Sequence, residues 1–178
     1  MNENEEDLPI LAIDPGTTQT AYAIYAPDTA SLLDFGILDN AAMLGHLDTI
    51  AENYPVMHMA IEMMASMGMA VGQTVLETAT WIGRYIQSWV TAPGHTYELI
   101  YRVDEKLHLC GTPRAKDANI RQSIMDRYGS TRQAVIGTKK NPGPLYGVSK
   151  DVWAAIAVAL VAAEMPPEQR RAKGGLTL

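Results

Sequence analysis

Residues 10–19 read ILAIDPGTTQ. Four apolar residues run into an aspartate, and Pro15-Gly16 turns the chain at once. A short apolar run bounded by a turn reads as a strand covered on both faces. A carboxylate at the end of such a strand is costly unless something pairs with it. Asp14 therefore demands a buried sheet beneath it and a partner beside it.

The rest of the chain supplies that sheet. Residues 20–26, TAYAIYA, alternate well enough to form the hairpin partner, and Pro27-Asp28 turns the chain again. Residues 31–37 read as a third strand. Met43, Leu44, Leu47 and Ile50 predict a helix over 40–53, with Asn40 as its cap. Residues 56–62, VMHMAIE, form a second apolar strand that ends in a carboxylate. A long helix over 72–90 turns Val75, Ile82, Ile86 and Val90 towards the core. Residues 97–103 and 107–110 read as extended. Pro113 starts a basic helix over 114–128, closed by Gly129. A Gly/Pro loop fills 137–149, and an Ala-rich helix over 150–164 requires a close neighbour. This order predicts an α/β fold: a mixed sheet, antiparallel hairpin strands plus parallel strands, with helices on both faces. One domain spans 9–164, between a disordered acidic N-terminus at 1–8 and a flexible tail at 165–178.

Composition narrows the function classes. The chain has 178 residues and is 47% hydrophobic, enough for one real core. Cys110 is the sole cysteine, which excludes an intrachain disulfide or a Cys-rich zinc site and suggests a reducing compartment. No apolar run approaches the ~20 residues of a membrane helix. The start, MNENEEDLP, lacks the pattern of a signal peptide, so the cytoplasm is expected. The formal net charge of −6 argues against nucleic acid. Residues 102–150, however, carry ten basic side chains against four acidic ones, a local net of +6. A polyanion would feel such a surface.

Three acids share a setting. Asp14 ends one apolar strand, Glu62 ends another, and Asp151 opens an apolar helix. Acids at the same end of neighbouring strands, ~4.8 Å apart, could share a cation. Oxygen-only ligands select Mg²⁺ or Mn²⁺. Two such ions, ~3.5–4 Å apart, can activate water and stabilise a leaving alkoxide in phosphodiester cleavage. Each acid also has a plainer reading: a turn cap for Asp14, a helix-start acid for Glu62, a dipole partner for Asp151. His46, His58, His95 and His108 show no metal-ligand spacing.

The stretches IDPGTTQTAYAI, IEMMASMGMAVGQTVLETATWIGRYI, GTPRAKDANIRQSI and GTKKNPGPLYGVSKDVWAAIAVAL resemble, in that order, the RuvC-type Holliday-junction resolvases of the ribonuclease H-like fold, most of all their phage-encoded branch. The resemblance implies a homodimeric, metal-dependent endonuclease on branched DNA, with no nucleotide cofactor. It implies Asp14, Glu62 and Asp151 as metal ligands, and Lys106 and Lys116 as lysines that support catalysis. Arg84, Arg114, Lys116, Arg121, Lys139, Lys140 and Lys150 are the expected DNA contacts. Two positions depart from the family pattern. Ala154 stands where the cellular enzymes carry a second helix acid, and Asp104 is a weak substitute. Ala65 replaces an aromatic, amid Met63, Met64, Met67 and Met69. A non-catalytic DNA-binding module on a decayed nuclease fold is the alternative. The IDPGTT stretch also resembles the phosphate loop of sugar-kinase and actin-like ATPases, but no second such loop occurs.

Overall fold

The computed structural model describes residues 8–53, 58–65 and 70–170. Five strands form one sheet in the order β3-β2-β1-β4-β5. They are β1 (Ile10–Pro15), β2 (Gln19–Ala26), β3 (Ser31–Asp39), β4 (His58–Met63) and β5 (Thr96–Tyr101). The first three pair antiparallel, whereas β1–β4 and β4–β5 are parallel. The expected mixed sheet is what the chain forms.

Successive residues of a strand face opposite sides, so β1 and β4 serve two cores. Leu11, Ile13, Met59 and Ile61 face α1 (Asn40–Asn53) and α2 (Gln73–Trp89). Ala12 and Ala60 face α6 (Val152–Glu164), together with Ala21 and Ala23 of β2. Alanine lies on both sides of that second interface, since α6 brings Ala155, Ala157 and Ala159, all fully buried. Small side chains let the helix backbone approach the sheet closely. The helices α3 (Arg102–Cys110) and α4 (Asp117–Tyr128) cover α6 from outside, with the short α5 (Arg132–Val135) beside α4. That double cover explains why α6 is apolar all round. No helix among the described residues is long and apolar enough to cross a membrane.

Four sequence expectations need correction. Residues 107–110 are helical, not extended, and belong to α3 together with Arg102 and Val103. The inward face of α3 carries Asp104 and Glu105 beside Leu109, so acids occupy the positions that an amphipathic helix ordinarily fills with apolar residues. Gly111, in the left-handed region at φ 70, stops the helix. The basic helix begins at Asp117 rather than 114, because residues 112–115 turn through an Ala115 N–H bond to Thr112 O of 3.2 Å. On α2 the buried stripe is Thr78, Ile82, Tyr85 and Trp89, while Val90 is exposed. Asn40 is not a cap. Its buried side chain accepts from Thr20 Oγ1 at 2.8 Å and donates to Gly16 O at 3.1 Å.

That last contact ties down the turn after Asp14. Gly16 N–H closes the turn on Gln19 O at 2.9 Å, and a Cβ on Gly16 would sit 2.5 Å from that same oxygen. Thr20 Oγ1 also meets Tyr85 Oη at 2.9 Å, so α2 braces the turn from below. Buried polar groups that lose a partner cost about 1–3 kcal/mol. Thr20→Val should lower stability by that amount, read as the urea midpoint at constant m-value.

At the other end of the sheet the segment that follows α6 is held. Residues Pro167–Gln169 form a 3-10 turn, and Arg170 pairs with Glu98 of β5. The flexible tail expected from 165 thus includes a clamped stretch to Arg170. Residues 171–178 lie outside the described residues, as do most of the acidic N-terminus and Met67 and Met69.

Candidate active site

The parallel ladder between β1 and β4 pairs Ile10 with His58 and Ile13 with Ile61, an offset of 48 at each rung. One residue past that pairing, Asp14 and Glu62 are joined by a side-chain hydrogen bond. Both lie at the carboxyl ends of their strands, where open α/β sheets bind ligands. Asp151 is the N-cap residue of α6, and its side chain makes no capping hydrogen bond. It is therefore free to face the strand ends. Asp14, Glu62 and Asp151 line one cavity of about 290 Å³, with Arg102, Asp117, Ile120, Lys150, Trp153 and Ala154.

The electrostatics of this cavity are strained. Burial pushes the Asp14 carboxyl up to about 8, helped by the charge of Glu62, a hydrogen bond with it, and the charge of Asp151. Burial also pushes Glu62 up, against the pull of Arg102. Two crowded carboxyls that share a proton are a site waiting for positive charge.

Arg102, the first residue of α3, meets that demand in part. Its Nη1 is 3.9 Å from Glu62 and 2.5 Å from Glu105 Oε2, and its Nη2 is 2.6 Å from Asp117 Oδ1. Glu105 is fully buried, and its Oε1 has no hydrogen-bond partner among the described residues. Burial drives its carboxyl well above the usual range despite Arg102. One guanidinium thus organises three acids. Arg102, Glu105 and Asp117 were not singled out from sequence. The i,i+3 spacing of Arg102 and Glu105 was the available signal, because such residues are neighbours on a helix.

The cavity gathers Asp14, Glu62, Asp151 and Lys150. Lys106 sits on α3 and lines the adjacent apolar cavity with Glu62, Met63, Met64 and Tyr101, where its charge lowers Glu62. Lys116 is the N-cap residue of α4, its backbone N–H bonded to Asn119 Oδ1 at 2.9 Å. Arg114, Lys139 and Lys140 are exposed on turns. Arg121 stacks 4.8 Å over Trp153, whose ring walls the cavity. Arg84 is apart from this group. It lies 4.2 Å over Trp81 and lines a groove between α1 and α2 with Asp48. Asp104 is buried and does not line the cavity; Asp117 and Ala154 both do.

The donor set is all oxygen and suits a hard cation. As the side chains stand, no three acids, histidines or cysteines among the described residues gather round one point. Asp14 and Glu62 are the tight pair. Mg²⁺ keeps several waters and binds through one or two carboxylates, so that pair meets its needs.

No family model and no curated protein matches the chain. Solved structures do. RuvC of Thermus thermophilus aligns with a TM-score of 0.63 at 14% identity, over 88% of this chain and 93% of that one. The fold is that of RuvC. The same Thermus RuvC in complex with a Holliday junction substrate gives a TM-score of 0.62 at 14% identity, over 88% and 92%. The yeast mitochondrial Holliday junction resolvase gives 0.54 at 11% identity, over 86% and 76%. Within the RuvC fold, Asp14 and Glu62 stand at the ends of adjacent strands and Asp151 at the start of α6.

Proposed function

We propose that the chain is a metal-dependent endonuclease acting on branched DNA, a Holliday-junction resolvase of the phage type that works as a homodimer. The observation that carries this reading is the hydrogen-bonded pair of Asp14 and Glu62 at the ends of β1 and β4, sharing one cavity with Asp151, in a RuvC fold. Asp14, Glu62 and Asp151 would hold Mg²⁺ or Mn²⁺, with Asp117 in reach of the same cavity. When bound, such an ion supplies Lewis acidity at a phosphodiester. The chain's own residues set the stage for it. Arg102 fixes Glu62 and Asp117, and Lys106 adds positive charge next to Glu62. Arg114, Lys116 and Arg121 on and before α4, with Lys139 and Lys140, grip backbone phosphates without reading bases. Arg84 serves a DNA arm that passes α2. No nucleotide cofactor is required.

Two-fold symmetric junctions suit a two-fold dimer. The outer face of α2 leaves Leu76 and Val90 exposed and Gly83 in open space, which supports pairing through that helix. Sedimentation should give a dimer, and Gly83→Arg should shift it to monomer.

The deciding assay is nicking of a four-way junction, a Y-fork and linear duplex, with Mg²⁺, Mn²⁺ or EDTA. Metal-dependent cuts on branched DNA only are the expected result. Ala154 favours a second reading, a DNA-binding module without catalysis. Tight junction binding with no cuts in either metal would establish that reading instead.

A further inference from the structure

Lys150 is the lysine that lines the acid cavity itself, together with Asp14, Glu62 and Asp151. Lys106 and Lys116, the lysines expected to support catalysis, do not line it. Its backbone is unusual as well. Lys150 has φ 47, in the left-handed region, and among the described residues only Ala30 shares that state without being glycine. A residue with a Cβ is disfavoured there, and such strain persists where function holds it. Here the left-handed residue turns the chain straight into the N-cap, Asp151. Among the described residues Lys150 makes no ion pair within 4.0 Å, although four acids line the same cavity. Its ammonium donors remain available.

We infer that Lys150 is a catalytic residue whose ammonium holds a non-bridging oxygen of the scissile phosphate. The inference rests on the nuclease reading and adds the residue that admits an anion to an acid-lined pocket. A phosphate entering between Asp14, Glu62 and Asp151 meets repulsion. A charged donor on the cavity wall offsets it and strengthens as charge develops on the phosphate. Glycine would fit this backbone without strain, so a lysine here points to a use for its side chain.

The test uses the full chain on a four-way junction with Mg²⁺. Single-turnover cutting is measured with enzyme in excess, and junction affinity by anisotropy in Ca²⁺. Lys150→Met should cut about 10²-fold more slowly, with affinity changed less than threefold. Lys150→Arg should recover most of the rate. Lys150→Gly should lose the rate as Met does, yet melt about 2 °C higher because the strain is gone. Opposite movement of rate and stability in one variant isolates the ammonium from the backbone. Cutting by Lys150→Gly or Lys150→Met within threefold of wild type overturns the inference and leaves the nuclease reading intact. So does a loss that lies wholly in affinity. A wild-type protein that cuts no branched DNA, like Asp14→Asn, removes the nuclease reading and the inference with it.

Discussion

Asp14→Asn should abolish cutting and, without metal, make the protein more stable. The rate loss should be on the order of 10³, since the variant removes one carboxylate charge from the proposed metal site. The stability gain follows from linkage. The Asp14 carboxyl rises from 3.8 to about 8 on folding, chiefly by burial and then by Glu62. The folded chain therefore holds that proton more tightly than the unfolded chain. Its contribution is complete below pH 4 and is lost as pH climbs through 8. Asparagine cannot ionise and escapes this loss. Thermal melts in EDTA should show wild type weakening between pH 5 and 8, with Asp14→Asn flatter and ahead at pH 8 by roughly 2 kcal/mol. Added Mg²⁺ should raise the wild type at pH 8 and leave the variant unmoved. A variant that is both active and less stable at pH 8 would show that Asp14 is an ordinary turn residue.

Arg102→Ala carries the second large effect, and its sign is opposite. Glu105 is fully buried, and Arg102 is its ion-pair partner at 2.5 Å. Removing Arg102 strips the buried Glu105 Oε2 of its hydrogen-bond donor, at a cost of about 1–3 kcal/mol, a fall of roughly 5 °C in a chain of this size. Replacing both partners with apolar residues is often neutral. The double variant Arg102→Met, Glu105→Leu should thus regain most of the stability. It should not regain function, because Glu62 and Asp117 have lost the guanidinium that spaces them. Cutting lower by 10–100-fold in a well-folded double variant, read with its melting curve, is the expected pattern. Full activity in the double variant would reduce Arg102 to a packing element.

The acids at the strand ends were legible because their pattern is local. ILAID and MAIE each show an apolar run that stops on a carboxylate. What joins them is the ladder, and strand alternation made the sheet readable too. The network beneath them was not legible, for two physical reasons. The segment over 102–110 buries Asp104 and Glu105, so a search for an apolar helical period fails on a helix whose inward face is charged. The partners of Arg102 lie at 62, 105 and 117, and only the fold brings the first and last together. On α2 the same effect shifted the buried stripe, because Thr78 and Tyr85 go inward with their hydroxyls satisfied, by Thr74 O and Thr20. Buried polar groups were the common source of error.

The constant offset of 48 between β1 and β4 has an evolutionary consequence. Everything between the two acids is an excursion that leaves one strand and returns to its neighbour. Its loops can change length without displacing either carboxylate, because the pairing of β1 with β4 holds the two strands in register up to the residues before them. Inserting a short flexible peptide at the exposed turn after Asp28 should leave catalytic spacing untouched. Distant kin of this chain are then better sought by matching ladder rungs than by counting residues between motifs.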